Sequence, residues 1–516
     1  MVEEVFKNLV DQFSDPFTCL RELVQNAMDA GTEQIDIRTS YLSDPGGVCL
    51  EIRDFGEGMN RDIIDGKLTR LFSSDKENDL TKIGKFGIGF VSVFSLKPEL
   101  VTVDTGRDGE YWRIAFDGGT DFQLFQLHQP IEGTSVKLYK LLAWEDLEEF
   151  EERARSTVAR WCRHSHIELS FNSERVNKPL EVESVCKVNV KDPLGLFNVG
   201  LTNQFPAPFG FYNSGLTLTE GQQEELPGVT FKVLSNHLEH TLTRDAVIKD
   251  DSYKKVMKKL VEIVDNQLFD QLCSQMQQTD PTARDKTAEV AGSYLRHRYS
   301  DLSSAQLKQP FIKDVFGNPV SLKALERCAK DETRFFATNR QTALAERATR
   351  EDIPVLPVEL GSPTAELLSS LFEVPVVTLE KNLAVSRIVE RPPGLRAIEA
   401  DMRSLLKRGR IYVSSVVAVE YPDSIAPPDS APCTFALGAD RLVRRFRRGF
   451  WGTKYILPQH LLLDIHHPLV RKALSRAEQP AGRRLATYAL CKSALLNDGI
   501  APSTENRLLK TILERG

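Results

Sequence analysis

At 516 residues the chain exceeds what one hydrophobic core serves, and its length calls for about three domains. Its 41% apolar and 27% charged residues are ordinary for a globular protein, while a net charge of −6 supplies no general attraction for nucleic acid. No apolar run approaches the roughly 20 residues that span a bilayer. The 8 cysteines are scattered without a C-x-x-C pair, and the start, MVEEVFKN, is acidic without an apolar core. These features predict reduced thiols, no zinc site and a cytoplasmic setting.

The first strong helical pattern is LRELVQNAMDAG, residues 20–31. Glu22, Asn26 and Asp29 stand at i, i+4 and i+7 and fall within about 60° of one another, with Leu20, Leu23, Val24 and Ala27 opposite. A face meant only for water usually mixes Lys and Arg among its carboxylates, and this one has no base. QIDIRTSYL and VCLEIRD come next, each alternating as a strand with one buried face. The second ends at Asp54 and runs into DFGEGM. A carboxylate there can accept a hydrogen bond from an exocyclic amine, and Gly56 and Gly58 let the chain turn close beneath a flat ring. D-x-G-x-G is also the pattern of an ordinary turn.

In KIGKFGIGFVSVFSL, Gly84, Gly87 and Gly89 precede an apolar helix with Phe90, Val91 and Phe94. A glycine-rich loop opening a helix offers free N–H groups and a positive end to a phosphate. It is neither a Walker A loop nor the dinucleotide fingerprint. EGTSVKLYKL then sets Gly133 and Thr134 at the head of an alternating strand, with a hydroxyl placed to support Asp54.

Residues 175–270 continue as α/β sequence, ending in strand GVTFKVL and a helix from Tyr253 through Val256, Leu260 and Val264 to Leu268. SQMQQTDPTARDK reads as a polar connection. TRFFAT, RQTALAERAT, IPVLPV, TAELLSSLF and VPVVTLE alternate strand and helix, a small α/β layer. ERPPGLR and YPDSIAPPDSAP are proline-rich breaks, and GRRLATYALCKSALLNDG and STENRLLKTILERG are helical.

Taken in order, E-x-x-x-N-x-x-D-A, D-x-G-x-G-M, G-x-x-G-x-G-F and G-T resemble the four ATP-site boxes of the GHKL superfamily: heat-shock protein 90 chaperones, type II topoisomerases, MutL and histidine kinases. The wording LRELVQNAMDAG is most similar to the heat-shock protein 90 family of molecular chaperones in its bacterial, HtpG-type form. HTLTRDAVIKDDSYKKVMKKL resembles that family's middle-domain segment, residues 310–380 its second middle subdomain, and LLLDIHHPLVRKAL with the helices after it the dimer-forming end.

The resemblance implies an α+β and α/β multidomain chain. A Bergerat-type ATP-binding sandwich would span 1–172, a middle domain 173–390 (a first part to about 275, a second layer over about 305–385), and a helical dimerisation domain 391–516. It implies ATP and Mg²⁺ as ligands, with Glu22 as general base, Asn26 as the Mg²⁺ ligand, Asp54 as the adenine reader and Arg244 as the arginine that reaches the γ-phosphate. The remaining ATP-site residues would be Asp29, Ala30, Gly56, Gly58, Met59, Gly84, Lys85, Phe86, Gly87, Ile88, Gly89, Phe90 and Thr134. Lys67, Ser73 and Lys76 would come from a lid over roughly residues 60–84.

It further implies a homodimer joined by helices at about 480–514 and client proteins as partners. The chain departs from the family in a short segment before the first box, a short lid, and Lys67 and Ser73 where members often carry Asn and Lys. His467 with Pro468 is expected to be a helix-opening turn. RLVRRFRRGFWGTKY, residues 441–455, has five Arg between Arg441 and Arg448. It fits an exposed client patch, a phosphate-binding nucleic-acid contact, or a strand with solvated arginines. Two other functions stay open: an ATPase of this superfamily acting on or stimulated by nucleic acid, and a scaffold switched by nucleotide without turnover.

Overall fold

Alternating burial along the first strands builds a large sheet, with one face covered by helices. The computed structural model describes residues 10, 15–44, 46–68, 89–119, 121–239, 247–408, 411–421, 432–436, 442–444, 460–496, 506 and 510. The chain divides into two compact units, Met1–Phe269 and Asp270–Gly516.

In the first unit, strands β1 (Gln34–Leu42), β2 (Gly47–Asp54), β3 (Leu100–Arg107), β4 (Glu110–Phe116), β5 (Phe122–Gln126), β6 (Thr134–Leu141), β7 (Glu168–Phe171) and β8 (Glu174–Arg175) form one sheet. Its order is β5-β4-β3-β6-β2-β1-β7-β8, antiparallel except where β1 runs parallel to β7. β1 and β2 match the predicted segments closely. Helices α1 (Cys19–Asp29) and α2 (Leu147–Cys162) supply the covering layer. Leu20, Val24 and Ala27 of α1, Ala154 and Val158 of α2, and Phe94 pack with Ile35, Ile37, Leu50, Ile52, Val103, Val136 and Leu138. Removing these side chains from water is the main stabilising term of this unit.

A second sheet in the same unit holds β9 (Lys187–Asp192), β10 (Gly195–Leu201), β11 (Ala207–Asn213), β12 (Leu216–Gln223) and β13 (Val229–Leu234), in the order β12-β11-β13-β10-β9. Helix α3 (Asp251–Ile263) begins at Asp250, whose Oδ1 accepts the Tyr253 N–H at 2.8 Å. As expected, the helical run continues through Leu268, by way of a π-helical turn. Arg244 lies between β13 and α3, outside the described residues.

The polar connection expected at 274–286 is overturned. Helix α4 (Phe269–Met276) occupies its start, and helix α5 (Pro281–Arg298) begins inside it, with only residues 277–280 between the two. Asp280 accepts the Thr282 N–H at 3.0 Å and Pro281 takes the first helical position. Asp-Pro opens a helix here instead of ending one, because proline's missing N–H costs nothing in a first turn.

The predicted small α/β layer is present in the second unit. Strands β14 (Phe335–Ala337), β15 (Val355–Leu356) and β16 (Val376–Thr378) run parallel in the order β15-β14-β16. Helices α6 (Ala343–Arg350) and α7 (Pro363–Phe372) make the crossovers. Farther on, strands 387–388, 415–420, 460–464 and 433–436 form a sheet in that order. Helices 395–408, 468–475 and 480–496 share its core through Ile398, Met402, Val470 and Leu490.

His467 caps the helix 468–475 as expected: its Nδ1 accepts the Leu469 N–H at 3.1 Å, with Pro468 in first place. Of 441–455 only 442–444 are described, as a short strand antiparallel to 383–385. The expected tail helix after 502 lies, except for residues 506 and 510, outside the described residues. All eight cysteines are free and buried. No described helix is long and apolar enough to cross a membrane.

The turn after β2 is held by backbone contact so close that only glycine fits. Gly58 has φ +66°, and a Cβ there would lie 2.1 Å from the Gly106 carbonyl oxygen. Gly58→Ala therefore incurs about 1–2 kcal/mol for left-handed backbone and about 1–3 kcal/mol for overpacking. The expected loss, about 2–5 kcal/mol in all, is measured by the shift of the urea midpoint at unchanged slope.

Candidate nucleotide-binding site

The chain enters α1 through an Asp-Pro step. Asp15 Oδ1 accepts the Phe17 N–H at 3.1 Å, and Pro16 opens the short 3₁₀ turn that leads into the helix. Cys19, Leu20, Leu23, Val24 and Ala27 then go into the core, which fixes how α1 is rotated. That rotation gives the polar stripe a gradient of exposure. Glu22 is 7% exposed, Asn26 half-buried and Asp29 exposed.

Glu22 reaches the start of the next helix. Its Oε2 lies 3.0 Å from where a Cβ on Gly89 would sit. Gly89 begins the helical turn that carries Phe90 and Val91 into the core and continues as a 3₁₀ segment over Ser92–Leu96. The carboxylate thus sits directly against the residue closing the glycine-rich loop. The Asn26 amide makes no hydrogen bond among the described residues, whereas Asp29 accepts the Gln25 amide at 3.0 Å and faces solvent.

Asp54 is the second fixed point. It is 8% exposed, and its Oδ1 accepts two backbone N–H groups, from Gly56 at 2.9 Å and Thr134 at 3.2 Å. Its Oδ2 accepts none among the described residues. Burial pushes the Asp54 carboxyl above the usual carboxylate range, and the two N–H bonds pull it part of the way back. The expected support from Thr134 therefore comes through its backbone. Its hydroxyl instead lies 3.0 Å from that of Thr105.

Thr105 is a site residue that sequence reasoning missed. Its hydroxyl accepts the Met59 N–H at 2.9 Å and lies 3.3 Å from the Gly133 carbonyl, so it ties the D-x-G-x-G-M turn to β3. Thr32 was missed in the same way; its hydroxyl accepts the Phe55 N–H at 3.0 Å. Ala30 joins the two halves, since its carbonyl accepts the Glu57 N–H at 3.0 Å. A Cβ on Gly56 would meet that same oxygen at 2.6 Å. Neither Thr105, within β3, nor Thr32, in the turn before β1, carries a sequence mark of such a role.

The structure thus brings Glu22 to Gly89, and gathers Ala30, Asp54, Gly56, Gly58, Met59 and Thr134 into one turn cluster. Ser73, Lys76, Gly84, Lys85, Phe86, Gly87 and Ile88 lie outside the described residues, as does Arg244. Lys67 is placed only by its backbone, in a π-helical turn over Ile64–Leu68. No cluster of three or more His, Cys, Asp or Glu with metal-binding geometry occurs among the described residues.

Residues 14–127, which include Glu22, Asn26, Asp54 and Gly89, match the family described as histidine kinase-, DNA gyrase B-, and HSP90-like ATPase. The chain carries an ATPase domain of this family. Curated relatives are named chaperone protein HtpG. That of Paraburkholderia xenovorans is 30% identical over 31% of this chain and 30% of its own length. That of Pectobacterium atrosepticum is 27% identical over 41% of this chain and 40% of its own. A third, from Photorhabdus laumondii, is 29% identical over 33% of this chain and 31% of its own. The chain therefore spans well under half the length of the curated relatives it matches.

Within this ATPase domain the buried Asp54 has a consequence for pH. Because its folded-state pKa is raised, its contribution favours the fold below the unfolded value of about 3.9 and is lost as pH rises through the folded value. Asn cannot ionise and can keep both N–H bonds through its amide oxygen. The melting temperature of Asp54→Asn relative to wild type is thus expected to climb from acid toward neutral pH. A thermal-melt series across pH 3–7 checks this, and a flat difference would contradict it.

Proposed function

We propose that this chain is an ATP-driven molecular chaperone of the HtpG type, hydrolysing ATP to ADP and phosphate. The observation that carries the reading is the buried Glu22 carboxylate lying against Gly89, the last glycine of the glycine-rich segment in sequence. A carboxylate held beside that residue is placed to take a proton from an attacking water.

The residues present fit the ligands. Oδ2 of Asp54, which accepts nothing among the described residues, is an acceptor for the adenine amine, and Gly56 and Gly58 let the turn beside it pack against the Ala30 and Gly106 carbonyls. Asn26, half-buried and without a hydrogen bond among the described residues, is the residue here that would hold Mg²⁺. Mg²⁺, when bound, neutralises charge on the phosphate oxygens.

Glu22 would contribute on the order of 10²–10⁴ in rate as a base. Arg244, placed by resemblance alone, would add positive charge at the γ-phosphate worth roughly 10³–10⁵. Lys67, Ser73 and Lys76 would belong to the lid. Turnover is expected to be slow, because lid and arginine must arrive first.

The same proposal takes domains at 1–172, 173–390 and 391–516, a homodimer through helices at about 480–514, client proteins as partners and a cytoplasmic setting. Regular cycles of nucleotide-driven closure would then work on clients held between two arms.

Glu22→Ala is expected to lower ATP turnover about 10²–10⁴-fold with ATP still bound, as measured by phosphate release and by equilibrium binding. Asp54→Asn is expected to lose ATP binding itself. An unchanged rate in Glu22→Ala would remove the assignment. Light scattering of a heat-denatured client, with and without ATP, separates a chaperone from an ATPase stimulated by nucleic acid. Arg244→Ala, assayed together with solution mass, tests the arginine and the dimer; a monomer without turnover in the wild type would leave only a nucleotide-binding module.

A further inference from the structure

The carboxyl ends of β14, β15 and β16, in the second unit, surround a cavity of about 680 Å³. Its place comes from strand order. The chain leaves the central β14 for β15 on one side, then crosses back to β16 on the other. Loops after β14 and β16 therefore diverge and leave a crevice, the position where open parallel sheets take ligands. The volume is in the range of small-molecule sites.

The lining is chemically divided. Thr338, just after β14, donates its hydroxyl to Glu380 Oε1 at 2.9 Å, just after β16. Glu380 Oε2 accepts nothing among the described residues. Arg340 is exposed, and its guanidinium has neither a hydrogen bond nor an ion pair among the described residues. Between them runs an apolar wall of Leu344, Val358 and Leu360, the last 57% exposed. Among the described residues, none of the guanidinium and only one oxygen of the carboxylate is engaged.

We propose that this cavity binds a nucleoside monophosphate. The phosphate pairs with the Arg340 guanidinium, beside the Ala343 and Leu344 N–H groups that begin α6, the Ala345 N–H being held by the Thr342 hydroxyl at 3.1 Å. The sugar hydroxyls donate to Glu380 Oε2, and the base covers Leu344, Val358 and Leu360. Free phosphate would leave the wall and the carboxylate unused. Only a ligand with an anionic end, hydroxyl donors and a flat apolar body uses all three parts.

The site shares no residue with the ATPase domain, so the test starts from the full chain carrying Asp54→Asn. Equilibrium dialysis with radiolabelled AMP is expected to show one AMP per chain in that background. Arg340→Glu should weaken binding at least tenfold, the scale of a lost charged hydrogen bond, and Glu380→Gln should weaken it less. Leu360→Asp, at a solvent-exposed position, gives an independent loss should either charge variant fail to fold by circular dichroism. Inorganic phosphate alone should bind more weakly than AMP. AMP binding abolished by Asp54→Asn alone, binding unmoved by all three cavity variants, or phosphate bound as well as AMP would each overturn the proposal. ATP turnover in Arg340→Glu should stay at the wild-type rate, so failure of this site and failure of the ATPase reading are separable.

Discussion

The register of three neighbouring strands sets the candidate nucleotide site. Asp54, the last residue of β2, pairs with Thr134, the first of β6, and Thr134 pairs with Thr105 of β3. That row puts a carboxylate, a backbone N–H and two hydroxyls side by side toward one end of three central strands. A slip of one residue in either pairing would turn the side chains to the opposite face. It would bury Arg53 and send Asp54 into solvent. The hydrophobic alternation of β2 and β6 excludes that slip, since Leu50, Ile52, Val136 and Leu138 would leave the core with it. Core burial, not polar attraction, thus positions the carboxylate.

Close backbone contact completes what register begins. Gly133 has φ +70°, and a Cβ there would lie 2.2 Å from the Asp54 carbonyl. Together with Gly58 against Gly106, this packs the turn after β2 onto the loop before β6 with no side chain between. The Thr105 hydroxyl then links Met59, Gly133 and Thr134 across the gap. Two N–H groups on Asp54 Oδ1 hold the carboxylate plane and leave the other oxygen for a ligand.

Much of this was legible from spacing. The alternation of QIDIRTSYL and VCLEIRD located β1 and β2, and a carboxylate followed by two glycines marked the turn. Helical spacing placed Glu22 and Asn26 on one line, though only the packing of Leu20, Val24 and Ala27 shows that Glu22 is dry and Asp29 wet. Thr105 and Thr32 were illegible because their roles arise from contacts with residues more than 20 positions away in the chain. The failure at 274–286 has a different cause. Polar residues at Asp280–Pro281 mark a helix start and a loop equally well, and only the residues after Pro281 can decide between them. Helix α5 has a weakly segregated apolar face, with buried Ala288, Ala291 and Leu295 set among charged residues, so periodicity could not decide it.

The first unit also contains a link between its two sheets, built at the end of α2. Arg163 pairs with Glu220 of β12, which also receives the Tyr212 hydroxyl from β11. The Thr217 hydroxyl donates to the Arg160 carbonyl at 2.9 Å. His164 sits among these groups with Arg163 Nε at 3.2 Å and Lys232 Nζ at 3.3 Å from its Nε2, and the Lys178 carbonyl at 2.9 Å from its Nδ1. Two cationic donors on one nitrogen require a lone pair there, so the proton belongs on Nδ1, donated to Lys178. Burial and the neighbouring cations lower the His164 pKa, in agreement with a neutral ring. Helix α2 packs on α1, so the helix bearing Glu22 is joined through this cluster to β13, the strand immediately before the segment containing Arg244. The connection is polar and geometrically specific where an apolar seam would tolerate sliding. It gives the two sheets one defined arrangement, in which the chain from β13 onward starts from a fixed point relative to α1.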